Sequence, residues 1–151
     1  MKIAYTMAPG RGITDLLLSR LAGTLASQGY TTCGTVQINT DRASGPCDMD
    51  VRVLPDGPVL RISQDLGLAS KGCRLDPAAL ETAVGLAEAR LDSTVDLLII
   101  NKFGKHEADG RGFRTIIATA LDLEIPVLVG INALNLAAFK EFAGPEAAHL
   151  E

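Results

Sequence analysis

Three features of this 151-residue chain predict an α/β domain with three layers, a mostly parallel sheet and an antiparallel hairpin insertion. Short apolar strands alternate with helical patterns. Pro55-Asp56-Gly57-Pro58 separates two strand-like runs near the middle. Val95–Ile100 is an apolar run broken only by Asp96, as expected for a strand covered on both faces. A chain of this length suits one domain, assigned to residues 1–149, with Leu150-Glu151 read as a cloning remnant.

Lys2–Thr6 reads as the first strand, leading into the loop Met7–Gly12. The spacing of Leu17, Leu21 and Leu25, with Leu18 and Ala22 beside them, predicts a helix over Thr14–Gln28 that Gly29 terminates. Thr31–Ile38 is the second strand and Asn39–Cys47 a polar loop. Asp50–Leu54 and Val59–Ser63 form the hairpin, with Gly57 able to take positive φ, and Gln64–Leu75 is a second loop. Asp76 is placed to cap a helix starting at Pro77, with Leu75 and Leu80 as a hydrophobic staple. Its apolar face is Leu80, Ala83, Val84, Ala87 and Leu91. After Val95–Ile100, the spacing of Phe113, Ile116, Ile117, Ala120 and Leu121 marks an amphipathic helix. Pro126–Val129 is a further buried strand and Ala133–Phe142 a final helix.

Composition narrows the function. A formal charge of −4 argues against nucleic-acid binding. No apolar run approaches the ~20 residues of a membrane span, so no membrane insertion is expected. The N-terminus has no signal-peptide pattern, and a cytoplasmic location follows as the expectation. Cys33, Cys47 and Cys73 show no CxxC spacing, which argues against a disulfide framework, and no metal site is expected.

Two strand ends carry the chemistry. A phosphate-binding loop reads GxxxxGK[ST] between a strand and a helix: backbone N–H groups cradle the anion, the lysine reaches the outer phosphates, and the hydroxyl holds magnesium. Here the corresponding run is Met7-Ala8-Pro9-Gly10-Arg11-Gly12-Ile13-Thr14. Met7 stands for the first glycine and Ile13 for the lysine, whereas Gly12 and Thr14 remain. The other end follows Val95–Ile100, where nucleotide hydrolases place acids that organise magnesium and water. This chain has Asn101 and Lys102 instead, followed by Lys105, His106, Arg111 and Arg114. An amide carries no charge for Mg²⁺ and an ammonium repels it, so conventional hydrolysis of a magnesium–nucleotide complex is disfavoured. The positive charge missing at Ile13 is instead supplied by Lys102, on what reads as a neighbouring strand end. His106 reads as a surface or loop histidine. The bland alternative is a glycine-rich connection beside solvated loop charges.

The order of these pieces resembles the small P-loop nucleoside-triphosphatase family first described from thermophiles, with Asn101-Lys102-Phe103-Gly104-Lys105 where that family has an acidic segment. Four further motifs are Cys47-Asp48-Met49, Arg61-Ile62-Ser63-Gln64-Asp65, Gly72-Cys73-Arg74-Leu75-Asp76 and Asn101–Gly112. On these the chain is similar, over nearly its whole length, to the bacterial family called domain of unknown function 2478. The resemblance implies a P-loop-like fold and, because such genes often neighbour molybdate-transport genes, an oxyanion or molybdenum-cofactor context. The motif residues Ser63, Gln64 and Arg74 suit a loop folding over the same pocket, or simply strand positions. The resulting expectation is a degenerate P-loop-like domain in an accessory or regulatory role. It would bind a small anionic ligand, a nucleotide or an oxyanion, through Gly10, Arg11, Gly12, Thr14, Ser63, Gln64, Arg74, Asn101, Lys102, Lys105 and Arg111. Magnesium is not expected to be essential, and self-association into a homo-oligomer is left open. The alternatives are an atypical nucleoside triphosphatase using Lys102 and Lys105, and a protein–protein adaptor.

Overall fold

The computed structural model describes residues 2–8, 12–40, 48–64 and 74–150. Its strands are β1 (Ile3–Thr6), β2 (Thr32–Thr40), β3 (Asp48–Val53), β4 (Val59–Arg61), β5 (Ser63–Gln64), β6 (Arg74–Leu75), β7 (Leu97–Ile100), β8 (Val127–Gly130) and β9 (Ala148–Leu150). The helices are α1 (Ile13–Ser27), α2 (Pro77–Glu88), α3 (Lys105–Ala108), α4 (Arg114–Asp122) and α5 (Leu136–Ala143), with a 3₁₀ turn at Ala133–Asn135. Seven strands form one sheet in the order β4-β3-β2-β7-β8-β1-β9, and β5 and β6 form a separate ribbon. The β2–β7, β7–β8, β8–β1 and β1–β9 pairs are parallel, while β2–β3 and β3–β4 are antiparallel. This is the mostly parallel sheet with a hairpin insertion that the sequence predicts.

Strand alternation sorts the core into two layers. Leu98, Ile100, Val127 and Val129 join the larger cluster, which packs against α2, α4 and α5. Ile99 and Leu128 face the other way and meet Leu18 and Ala22 of α1. Leu17, expected on the buried stripe, is exposed instead. The inward line runs through Thr14, Leu18 and Ala22, a phase set at the first turn, where the Thr14 hydroxyl accepts the Ala8 N–H at 3.0 Å. At the other end, Gly29 (φ 87°) closes α1 with bonds from its N–H to the Ala26 carbonyl and from the Tyr30 N–H to the Leu25 carbonyl.

Asp76 caps α2 as expected, accepting the Ala78 and Ala79 N–H groups at 3.0 and 3.3 Å. The hairpin also forms, with Asp50 opposite Arg61 and an ion pair between them at 3.0 Å. Its Gly57 does not use positive φ. A Cβ there would lie 2.7 Å from the Val53 carbonyl oxygen, so the glycine is required for space. β7 starts two residues later than its apolar run, because Asp96 turns back to accept the Thr31 N–H at 2.7 Å and fixes the start of β2 against it. β9 was not anticipated. It carries the sheet to Leu150, which lies opposite Thr6.

Candidate anion site at the sheet's C-terminal edge

The parallel strands β1, β8 and β7 end on one edge of the sheet, the position where open α/β sheets bind ligands. β1 runs into the first loop. Gly12 there has φ 78° and ψ −2°, a left-handed conformation that delivers the chain into α1, and as N-cap it brings no capping side chain of its own. Thr14 is partly buried and its hydroxyl accepts from Ala8, so it holds the loop's two shoulders together. Ile13, in the lysine position, is 47% exposed. Gly10 and Arg11 lie outside the described residues.

At the end of β7, Asn101 is buried and its amide is engaged at both ends. Its Nδ2 donates to Asp15 Oδ1 at 2.8 Å and its Oδ1 accepts the Gln37 N–H at 2.8 Å. The side chain thus ties β7, β2 and the first turn of α1 together. The two strand ends are not neighbours, as the sequence reading had them, because β8 stands between β1 and β7. Gly130 at the end of β8 makes this junction possible, since a Cβ there would lie 2.1 Å from the Asn101 carbonyl oxygen and 3.0 Å from Leu18 Cδ1.

The segment after Asn101 is fastened by two carboxylates. Glu107 is buried; its Oε1 accepts the Gly104 N–H at 2.8 Å and its Oε2 the Phe113 N–H at 3.2 Å. Burial pushes this carboxyl above the usual glutamate range, against the opposing pull of those two N–H groups. Glu81 of α2 accepts the Gly112 N–H at 2.9 Å and pairs with His106 Nε2 at 2.8 Å. His106 is buried, not a surface histidine, because α2 covers it. Gly112 (φ 66°) is forced to be glycine, as a Cβ would fall 1.8 Å from Glu107 Oε2. A shallow groove of about 500 Å³ runs beside this latch, bounded by Pro77, Glu81, Glu88, His106 and Arg111.

Cationic side chains decorate the outside of this fastened segment. Lys102, Lys105 and Arg111 are exposed. The Lys102 stem lies back against its own loop, with Cε 3.5 Å from where a Gly104 Cβ would be. Arg114 instead packs over the Phe142 ring at 4.9 Å and donates to the Glu107 carbonyl at 3.4 Å. Further away, Ser63 Oγ accepts the Met49 N–H at 3.1 Å, and Gln64 pairs with Arg74 in the small ribbon. Cys33 is a core residue whose thiol donates to the Ala87 carbonyl and is pushed up in pKa by burial. Cys47 and Cys73 lie outside the described residues.

Residues 3–151 match the family described as Protein of unknown function (DUF2478). The chain belongs to that family. A relative of this DUF2478 chain from Bradyrhizobium diazoefficiens, Molybdenum import ATP-binding protein ModC 2, is 36% identical over 132 residues. That stretch is 86% of this chain and 15% of the relative, so the chain spans a small part of the relative's length. A human cancer-related nucleoside triphosphatase superposes with a TM-score of 0.70 at 16% identity, covering 100% of this chain and 88% of that one. THEP1 from Aquifex aeolicus gives 0.60 at 21% identity, covering 100% and 89%. At such identities the likeness shows the fold, which is that of the small P-loop nucleoside triphosphatases.

Sequence reasoning on this DUF2478 chain missed the inward-facing acids. Glu107 follows Gly104 by three residues, the spacing at which a glutamate reaches back to the amide that opens a helix. That signal was present. The partnership of Asp15 with Asn101 spans 86 positions and has no local signature.

Proposed function

We propose that this domain binds the anionic part of a nucleotide, or a small oxyanion, at the loop between β1 and α1, in an accessory or regulatory role. The observation that carries the reading is left-handed Gly12 turning the chain from the sheet edge into α1 as an N-cap with no side chain of its own. The P-loop fold and a relative named for ATP binding support it. That relative's name, which refers to molybdenum import, points to work beside such machinery.

The site does not fit a magnesium ion held from the end of β7. Asn101 carries no charge, and its oxygen and nitrogen are committed to Gln37 and Asp15. Binding therefore proceeds without a divalent ion, through amide donors and the outward field of Lys102, Lys105 and Arg111. Since β8 intervenes, Lys102 starts about 10 Å from β1, two strand spacings away, and acts as a screened charge.

Isothermal titration with ATP, ADP, phosphate and molybdate tests this. Affinity is expected to survive EDTA, and Lys102→Ala should weaken it only about twofold to fivefold, an effect erased by salt. A wild-type protein silent towards every anion overturns the reading. Magnesium-dependent phosphate release well above background would replace it with the triphosphatase reading.

A further inference from the structure

The groove beside the Glu81–His106 pair lies across the sheet from the first loop. α2 and α4 pack on the larger core cluster, whereas α1 packs on the smaller one. The groove follows α2 from Pro77 in its first turn to Glu88 in its last, with Arg111 and Thr115 on the opposite wall. Those eleven helical steps make it about 16 Å long. A volume of about 500 Å³ over that length leaves a cross-section of about 30 Å². A helix, about 10 Å across with its side chains, needs more than twice as much. The backbone of an extended chain, about 4.8 Å wide, fits.

The α2 wall is cut back along this line. Ala78, Glu81, Gly85 and Glu88 follow at intervals of three and four, which puts them on one stripe of the helix. Gly85 stands in the helix interior, where only proline is less favourable. Its φ is not positive, and a Cβ there would meet nothing within 4 Å. Neither backbone conformation nor packing within the chain asks for this glycine. Its effect is to leave the groove bare between Glu81 and Glu88.

The free charges along the groove differ in sign. Glu81 is already taken up by the Gly112 N–H and His106 Nε2. Arg111 precedes Gly112 and therefore stands level with Glu81, while Glu88 lies seven residues further along α2, about 10 Å away. Among the described residues neither Arg111 nor Glu88 has an ion-pair partner. The start of α2 adds no donors, because Asp76 accepts the Ala78 and Ala79 N–H groups.

We infer that this groove docks an extended segment of a partner protein. The segment is about five residues long and sets an acidic side chain on Arg111 and a basic one on Glu88, about three residues apart. This surface is independent of the anion-binding reading, and either can fail alone.

A display library of random pentapeptides, selected on the intact wild-type protein, tests it. Enriched sequences should carry an acid and a base about three positions apart, and the leading peptide is then synthesised and titrated. Gly85→Gln fills the groove while improving helix propensity, so its thermal midpoint should not fall, yet peptide affinity should drop about tenfold. Exchanging the wall charges, Arg111→Glu with Glu88→Arg, should weaken the peptide about tenfold and restore binding once the acid and base of the peptide are exchanged as well. No enrichment overturns the proposal. So does a peptide that binds Gly85→Gln as tightly as wild type, or one whose affinity ignores the charge exchange.

Discussion

The loop after β1 and the segment after β7 leave the same edge of the sheet, yet they are held in opposite ways. Among the described residues, the first is closed by one hydroxyl–amide bond, from Ala8 to Thr14. The second is gripped by two carboxylates that take the Gly104, Gly112 and Phe113 N–H groups and the His106 ring. Glu107 is buried and holds backbone, whereas Lys102, Lys105 and Arg111 meet solvent. A charge count along this stretch sees an excess of cations, but the group that anchors its backbone from within is the acid Glu107. The basic segment is thus fastened from within, by buried and part-buried acceptors and not by its surface charge.

The sharpest way to break this contrast is to remove the buried acid. Glu107→Ala leaves the Gly104 and Phe113 N–H groups without acceptors and should cost about 3 kcal/mol in urea unfolding. Unchanged stability would show that the platform does not depend on it. Glu107→Gln adds a pH test. The native carboxyl is raised above its unfolded value, so folded protein holds this proton longer, and its contribution falls as pH rises through that window. The stability advantage of wild type over Glu107→Gln should therefore shrink as pH rises above the ordinary glutamate range. An advantage growing with pH would reverse the assignment.

Next in size is Asn101→Asp, which restores a strand-end acid but sets it against Asp15, whose Oδ1 now receives the amide at 2.8 Å. Two carboxylates at that distance share a proton. The variant should lose about 2 kcal/mol at neutral pH and recover part of it in mild acid. Gain of magnesium-dependent phosphate binding by this variant would show that the strand end can still serve a metal. The smallest expected change in stability, within about 0.5 kcal/mol, is for Ile13→Lys at a half-exposed position. It should nevertheless tighten phosphate binding about tenfold, which titration would read directly.

Local rules served the reading of this chain wherever one element decided the outcome. Asp76 before Pro77, the apolar face of α2, Gly29 after α1 and the hairpin around Asp56-Gly57 were all legible from neighbours in sequence. What failed was set by distant partners. The phase of α1 depends on Thr14 meeting Ala8, so a leucine count alone put Leu17 on the wrong side. His106 is buried because Glu81 of another helix reaches it. β9 is short and exposed along its length, so no periodicity announces it. Of the candidate site, the loop at Gly12 and Thr14 was visible, as were the exposed cations.

One feature of the sheet bears on the strand that leads into this loop. β9 pairs with β1 on the side away from β8, and His149 stacks on Tyr5 with ring centres 4.7 Å apart. The strand that launches the glycine turn is therefore an interior plank, nailed along both edges. Its end at Thr6 is clamped from two sides, at the edge of the sheet from which the first loop departs.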